Sequence, residues 1–215
     1  MIVYGSSLSP FVRKVVAYAS EKGMEIELKP TSPADPDPDF RAASPFGKMP
    51  AFSDGDYRLC DSSAIIHYLE AKHPEPNLIP AEPRARGRTI WFDEFADTIL
   101  FACGRKMFFN RIVAPRFLKR DGDLAEADAA ESDELPPILA YLESQIPESG
   151  FLVEDRLTLA DIAVASPLTN LRHLDVAIDP AKYPKAARYA EAILSRPSFA
   201  PWVEREAAFL ERTAA

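Results

Sequence analysis

The chain has 215 residues, 47% of them hydrophobic and 27% charged, the composition of a globular protein with a core to bury. Twenty-five Lys and Arg face 33 Asp and Glu, for a net charge of -8 and no basic block, which speaks against binding a nucleic-acid backbone. No apolar run reaches the roughly 18 residues of a membrane span, no secretion signal is visible, and Cys60 and Cys103 cannot build a disulfide framework, so the expected setting is a reducing cytoplasm with no membrane partner.

The first third of the chain mixes periods. Ile2 to Tyr4 is a short apolar run before Gly5 and reads as a strand. From Pro10 the residues Phe11, Val12, Val15, Val16 and Ala19 recur at helical spacing, and Gly23 marks the stop. Met24 to Leu28 alternates apolar and charged residues and predicts a second strand. Residues 30–39 carry four prolines and predict loop. Ala51 to Ser53 and Tyr57 to Cys60 predict two strands joined at Asp54-Gly55-Asp56, and 62–73 predicts a helix.

Residues 74–84, again with four prolines, read as a linker. Beyond it the pattern is helical. A long helix is predicted over 85–113, with Phe92, Phe95, Ala96, Ile99 and Cys103 on its inner stripe and Gly104 as a candidate kink. A second covers 124–146, where Pro136-Pro137 should break or bend it. Three more cover 159–172, 183–195 and 199–212. Thr158 and Asp161 have capping-box spacing, with Leu157 and Ile162 at the staple positions. His67, His73 and His173 show no metal-ligand spacing with each other or the cysteines, so no metal is expected. Cys60 and Cys103 read as buried, and Trp202 as packing for the terminal helix.

Ser9-Pro10 lies where the first strand hands over to the first helix. A hydroxyl there can be a plain N-cap with Pro10 at N1, or it can meet an anion drawn to the helix end. Two later segments bear on that choice: Ser44-Pro45-Phe46-Gly47-Lys48-Met49-Pro50-Ala51-Phe52 and Leu59-Cys60-Asp61-Ser62-Ser63-Ala64. With Ser9-Pro10-Phe11-Val12-Arg13 they make the whole chain resemble the serine-type glutathione transferases.

The resemblance implies an α/β plus all-α architecture. A thioredoxin-like N-terminal domain over 1–78 would bind glutathione, and an all-helical C-terminal domain would occupy 86–215. It implies that Ser9 activates the thiol of glutathione, the co-substrate, with Ser7 as the alternative hydroxyl. Pro50 would follow a cis bond, and Met49 would pair its backbone with the cysteinyl part like an added strand. Asp61 and Ser62 would receive the γ-glutamyl end, and Lys48 the glycine carboxylate. A small electrophilic, largely apolar second substrate would meet Leu8, Phe11, Phe101, Arg105, Phe108 and Phe109. Of these, Arg105 reads either as a salt-bridge partner or as an anchor for an acidic substrate. A homodimer is implied as well. The activity would be conjugation. The same site could serve an isomerase or an ether- or halide-cleaving lyase, and a non-catalytic binding scaffold is the rival from another class.

Overall fold

The structure is a computed structural model and describes residues 1–213. The chain divides into two compact units, Met1–Ile79 and a second from Pro80 onward.

The first unit is built on a four-stranded sheet in the order β2-β1-β3-β4. Its strands are β1 (Ile2–Tyr4), β2 (Glu27–Lys29), β3 (Ala51–Asp54) and β4 (Tyr57–Cys60). β1 runs parallel to β2 and antiparallel to β3, and β3 pairs antiparallel with β4 around the Gly55-Asp56 turn. Three helices complete the unit: α1 (Pro10–Glu21), α2 (Pro38–Ala43) and α3 (Ser62–Lys72). Alternation along the strands assigns the two faces. Val3 and Phe52 are paired in register and fully buried, and Phe52 meets Tyr68 of α3 at 5.7 Å between ring centroids. On the opposite face Tyr4 and Ala51 pack with Phe40 and Ala43 of α2.

β2 starts three residues later than its alternation predicts, because the Met24 N–H still bonds the Ala19 carbonyl at the end of α1. α2 lies partly in the stretch read as loop. Asp37 accepts from the Asp39 and Phe40 N–H groups, and Pro38 occupies the first helical position. Dense prolines hide that start, although Asp-Pro is itself an N-cap signal.

The second unit is helical. Its first helical run extends from Pro83 to Phe117 as α4 (Pro83–Glu94), a π-helical turn Phe95–Leu100, α5 (Phe101–Phe108) and a second π segment Phe109–Phe117. The wide turn rotates the inner face, so Leu100 is buried and Ile99 is 40% exposed, against the predicted stripe. Gly104 sits in regular α5, and the irregularity falls in the π segments, one of which contains Pro115. The next run comprises α6 (Leu124–Ala129), a π turn Ala130–Glu134 and α7 (Leu135–Gln145). Pro136-Pro137 therefore do not end the helix. They sit in the first turn of α7, where missing N–H groups cost least, and the π turn before them provides the room. α8 (Leu159–His173), α9 (Pro184–Leu194) and α10 (Ala200–Arg212) follow.

The predicted capping box opens α8. The fully buried Asp161 accepts from the Thr158 N–H at 2.9 Å and from the Leu152 N–H at 2.9 Å. Among the described residues no helix is long and apolar enough to cross a membrane.

Candidate functional site

The strand registers bring three segments to one end of the sheet. Tyr4, the last residue of β1, pairs with Ala51, the first of β3, and Ala51 pairs with Cys60, the last of β4. The chain leaves β1 into the Ser6–Ser9 turn and α1. It enters β3 through Met49-Pro50, and it leaves β4 into Asp61-Ser62 and α3. Ser9, Met49-Pro50 and Asp61-Ser62 thus share one sheet end, together with the N-termini of α1 and α3. Two helix N-termini there bring a positive field to that end of the sheet.

Ser9 is the N-cap residue of α1 by backbone position, with φ -76° and ψ 124°, yet its side chain makes no capping hydrogen bond. Its backbone N–H bonds the Ser6 carbonyl at 2.9 Å, closing the turn. The N-cap alternative is thus met in backbone but not in side chain, and the half-buried hydroxyl does no capping work. Ser6 uses its hydroxyl to accept from the Leu8 N–H.

The Met49-Pro50 peptide bond is cis. Ser44, fully buried, donates from its hydroxyl to the Lys48 carbonyl at 2.7 Å and shapes the turn that delivers Met49. The Lys48 side chain itself is exposed. Gly5 supports the same region. Its φ is +148°, and a Cβ built on it would lie 2.6 Å from Val12 and 3.4 Å from the Met49 Cβ, so only glycine fits. Strand pattern alone marks Gly5 as an end signal and hides this close approach.

Asp61 caps α3, accepting from the Ala64 N–H at 3.0 Å through Oδ1. Its φ is +82°, a region that non-glycine residues visit at a cost of about 1–3 kcal/mol and that recurs at binding sites. Ser62 is buried as the first residue of α3, beside Ser63, whose hydroxyl accepts from Lys14 at 3.1 Å. Lys14 is fully buried and links α1 to the start of α3. A lysine in an apolar helix pattern reads as a surface residue, so the sequence alone gives no sign of this burial.

The residues expected to meet a second substrate lie on both units. Leu8 and Phe11 are half-buried on the first; on the second Phe101 and Phe109 are half-buried, Phe108 is buried in the helical core and Arg105 is exposed. No carboxylate pairs with Arg105 among the described residues, whereas its neighbours Lys106 and Arg111 hold Glu134, Asp128 and Glu131. Cys60 is half-buried rather than buried. Cys103 is core, and burial pushes its thiol up to about 11. Trp202 is half-buried, with the Arg205 guanidinium over its ring. His173 has no metal-like neighbours; it bonds Glu206 at 2.9 Å, both side chains being almost fully buried. Among the described residues no cluster of three His, Cys, Asp or Glu side chains could hold a metal.

Comparison with known proteins identifies the family. Residues 3–77 match the model of the glutathione S-transferase N-terminal domain, and 108–206 that of its C-terminal domain. Glutathione S-transferase 3 of Zea mays is 32% identical over 206 residues, spanning 92% of this chain and 90% of that protein. Among solved structures, a glutathione S-transferase from Rhodospirillum rubrum F11 superposes with a TM-score of 0.84 at 25% identity, covering 94% of this chain and 90% of that one. One from Methylobacterium radiotolerans, in complex with glutathione sulfonate, superposes at 0.77 with 26% identity, covering 94% and 93%. The fold, both halves of the chain and the relatives agree: the chain belongs to the glutathione transferase family.

Proposed function

We propose that Ser9 is the hydroxyl that activates glutathione for attack on a small, largely apolar electrophile. The observation that carries this is the Ser9 hydroxyl, held at the N-terminus of α1 without a capping bond, at the sheet end shared by Met49-Pro50 and Asp61-Ser62. A free thiol titrates near 8.5, so little is ionised at neutral pH. A hydrogen bond from Ser9, added to the field of α1, favours the thiolate. Lowering its pKa by about two units corresponds to roughly 2.7 kcal/mol. Ser9 acts as a donor and not as a covalent nucleophile, since no base stands by it in the sequence.

The remaining contacts follow from the chemistry of each group. Met49 offers backbone N–H and C=O to the cysteinyl unit in the manner of an added strand. Asp61 keeps its second carboxylate oxygen for the γ-glutamyl ammonium while Oδ1 caps α3. Ser62 and the first N–H groups of α3 suit the γ-glutamyl carboxylate. Lys48 serves the glycine carboxylate, with Pro50 holding the turn. Leu8 and Phe11 are the first unit's candidate contacts for the electrophile, and Phe101, Arg105 and Phe109 are candidates on the second unit taken by itself. Two free cysteines suit a reducing compartment, the cytoplasm.

We infer a homodimer too. Phe46 on the first unit is 88% exposed, and on the second Trp91 and Ile99 border an apolar groove with Phe95, Ile138 and Tyr141. Exposed apolar surface of this kind marks an interface.

The test has two steps. Calorimetric titration with glutathione should show one site per chain. Replacement of Ser9 by Ala should leave the fold intact, raise the apparent pKa of the bound thiol and lower kcat/KM by roughly 10- to 100-fold, the loss of a hydrogen bond to a charged group. Unchanged thiol pKa and turnover would move the role to Ser7. Binding with no shifted thiol in the wild type would favour a scaffold.

A further inference from the structure

The helical unit holds a cavity that this chemistry leaves unused. It has a volume of about 230 Å³ and lies between the turn that follows α7 and one face of α9. Phe151, Tyr189 and Ile193 give it apolar walls, and Lys185, Arg188 and Arg196 line it with cations. Glu148 is the lining carboxylate. Three cations to one carboxylate is the reverse of the balance of the whole chain, whose net charge is -8.

Glu148 offsets little of the Lys185 charge. Its side chain is 88% exposed, and its 3.2 Å pair with Lys185 is a surface ion pair, a class worth about 0–1 kcal/mol. The Lys185 ammonium also donates to the Ile146 carbonyl at 3.2 Å, which holds it at the cavity wall. The N-terminus of α9 is not what attracts an anion here. Its Lys185 and Ala186 N–H groups are already taken by the Glu143 carboxylate, at 3.1 and 2.8 Å. Arg188, one turn further along α9 and exposed, has no hydrogen-bond or ion-pair partner among the described residues.

We infer that this cavity binds a small organic anion, a carboxylate on a compact aryl or alkyl body. The apolar body would lie against Phe151, Tyr189 and Ile193. The carboxylate would meet the planar fork of the Arg188 guanidinium, whose geometry matches two oxygens at once. The size sets the class. Pockets for drug-sized ligands run from about 300 to 1,000 Å³, so a cavity below that range suits a single-ring acid better than a tripeptide such as glutathione. The site therefore stands apart from the one on the first unit and does not depend on the role of Ser9.

The test titrates benzoate, with benzyl alcohol as its neutral match, into the full-length protein saturated with glutathione, and follows backbone amides by NMR. Benzoate should give saturable shifts at Gly150, Phe151 and Ala192, weakened by added salt, and benzyl alcohol should bind at least about tenfold more weakly, a difference of about 1.4 kcal/mol. Arg188→Gln should cost a similar factor at unchanged thermal stability, and Arg188→Lys should lose less. Equal affinity for the two probes, shifts confined to residues outside the cavity, no saturable shift, or an Arg188→Gln protein that binds benzoate as the wild type does would each overturn the inference.

Discussion

Asp161 is the residue whose environment is most demanding. Burial pushes its carboxyl up to about 6, against the pull of the Leu152 and Thr158 N–H groups and the Thr158 hydroxyl. The folded pKa lies above the unfolded value of about 3.9, so between these values the folded state holds a proton that the unfolded state has lost. The contribution to stability is present below about pH 4 and is lost as pH rises through 6. Asp161→Asn removes that titration and puts an NH₂ where an acceptor is needed. The variant should lose about 1–3 kcal/mol, the cost of an unsatisfied buried donor. Urea unfolding should show a wider gap from the wild type at acidic pH than at neutral pH. A gap independent of pH would mean that Asp161 titrates normally in the fold.

Among elements, the segment that closes the first unit hangs on one side chain. Glu70 of α3 accepts from the Tyr18 hydroxyl and the Lys22 ammonium, both at 2.5 Å, and from Asn77 Nδ2 and the Leu78 and Ile79 N–H groups at 3.0 to 3.2 Å. Lys22 is fully buried at its side chain and also donates to the Pro76 carbonyl. α1, α3 and residues 76–79 are thereby joined through a single carboxylate. Glu70→Ala would leave the Lys22 charge buried and unpaired, a change that costs about 3–5 kcal/mol. The expected outcome is a marked fall in the urea midpoint. A loss below 1 kcal/mol would show that water replaces the carboxylate.

For the whole molecule, the exposed apolar surfaces predict assembly. Ile99 lies on the outer side of the π turn with Trp91 near it, and Trp91 Nε1 bonds the Tyr141 hydroxyl at 2.6 Å. Ile99→Asp places a charge on the groove without touching the core. Light scattering coupled to size exclusion should show a dimer for the wild type and a monomer for the variant at micromolar concentration, with far-ultraviolet circular dichroism unchanged. A variant that elutes as the wild type does would remove this groove from the interface.

The local sequence determined most of the elements and marked the candidate residues of the site. Ser9-Pro10, Asp61-Ser62 and Thr158 to Asp161 are short-range signals, since a cap, a proline at N1 and a hydrophobic period act within a turn or two of chain. They mark the starts of α1, α3 and α8 as the structure has them. Long-range packing decided the rest. Leu100 replaced Ile99 on the inner face because a π turn changes the helical phase, and α7 continues through Pro136-Pro137 because the preceding π turn makes room. Tertiary structure likewise buried Lys14 and Lys22, left Arg105 without a carboxylate partner among the described residues, and brought Ser9, Met49-Pro50 and Asp61-Ser62 to one sheet end. Spacing along the chain carries the period of an element. Which strands become neighbours, and which charges find partners, is settled only when the surfaces meet.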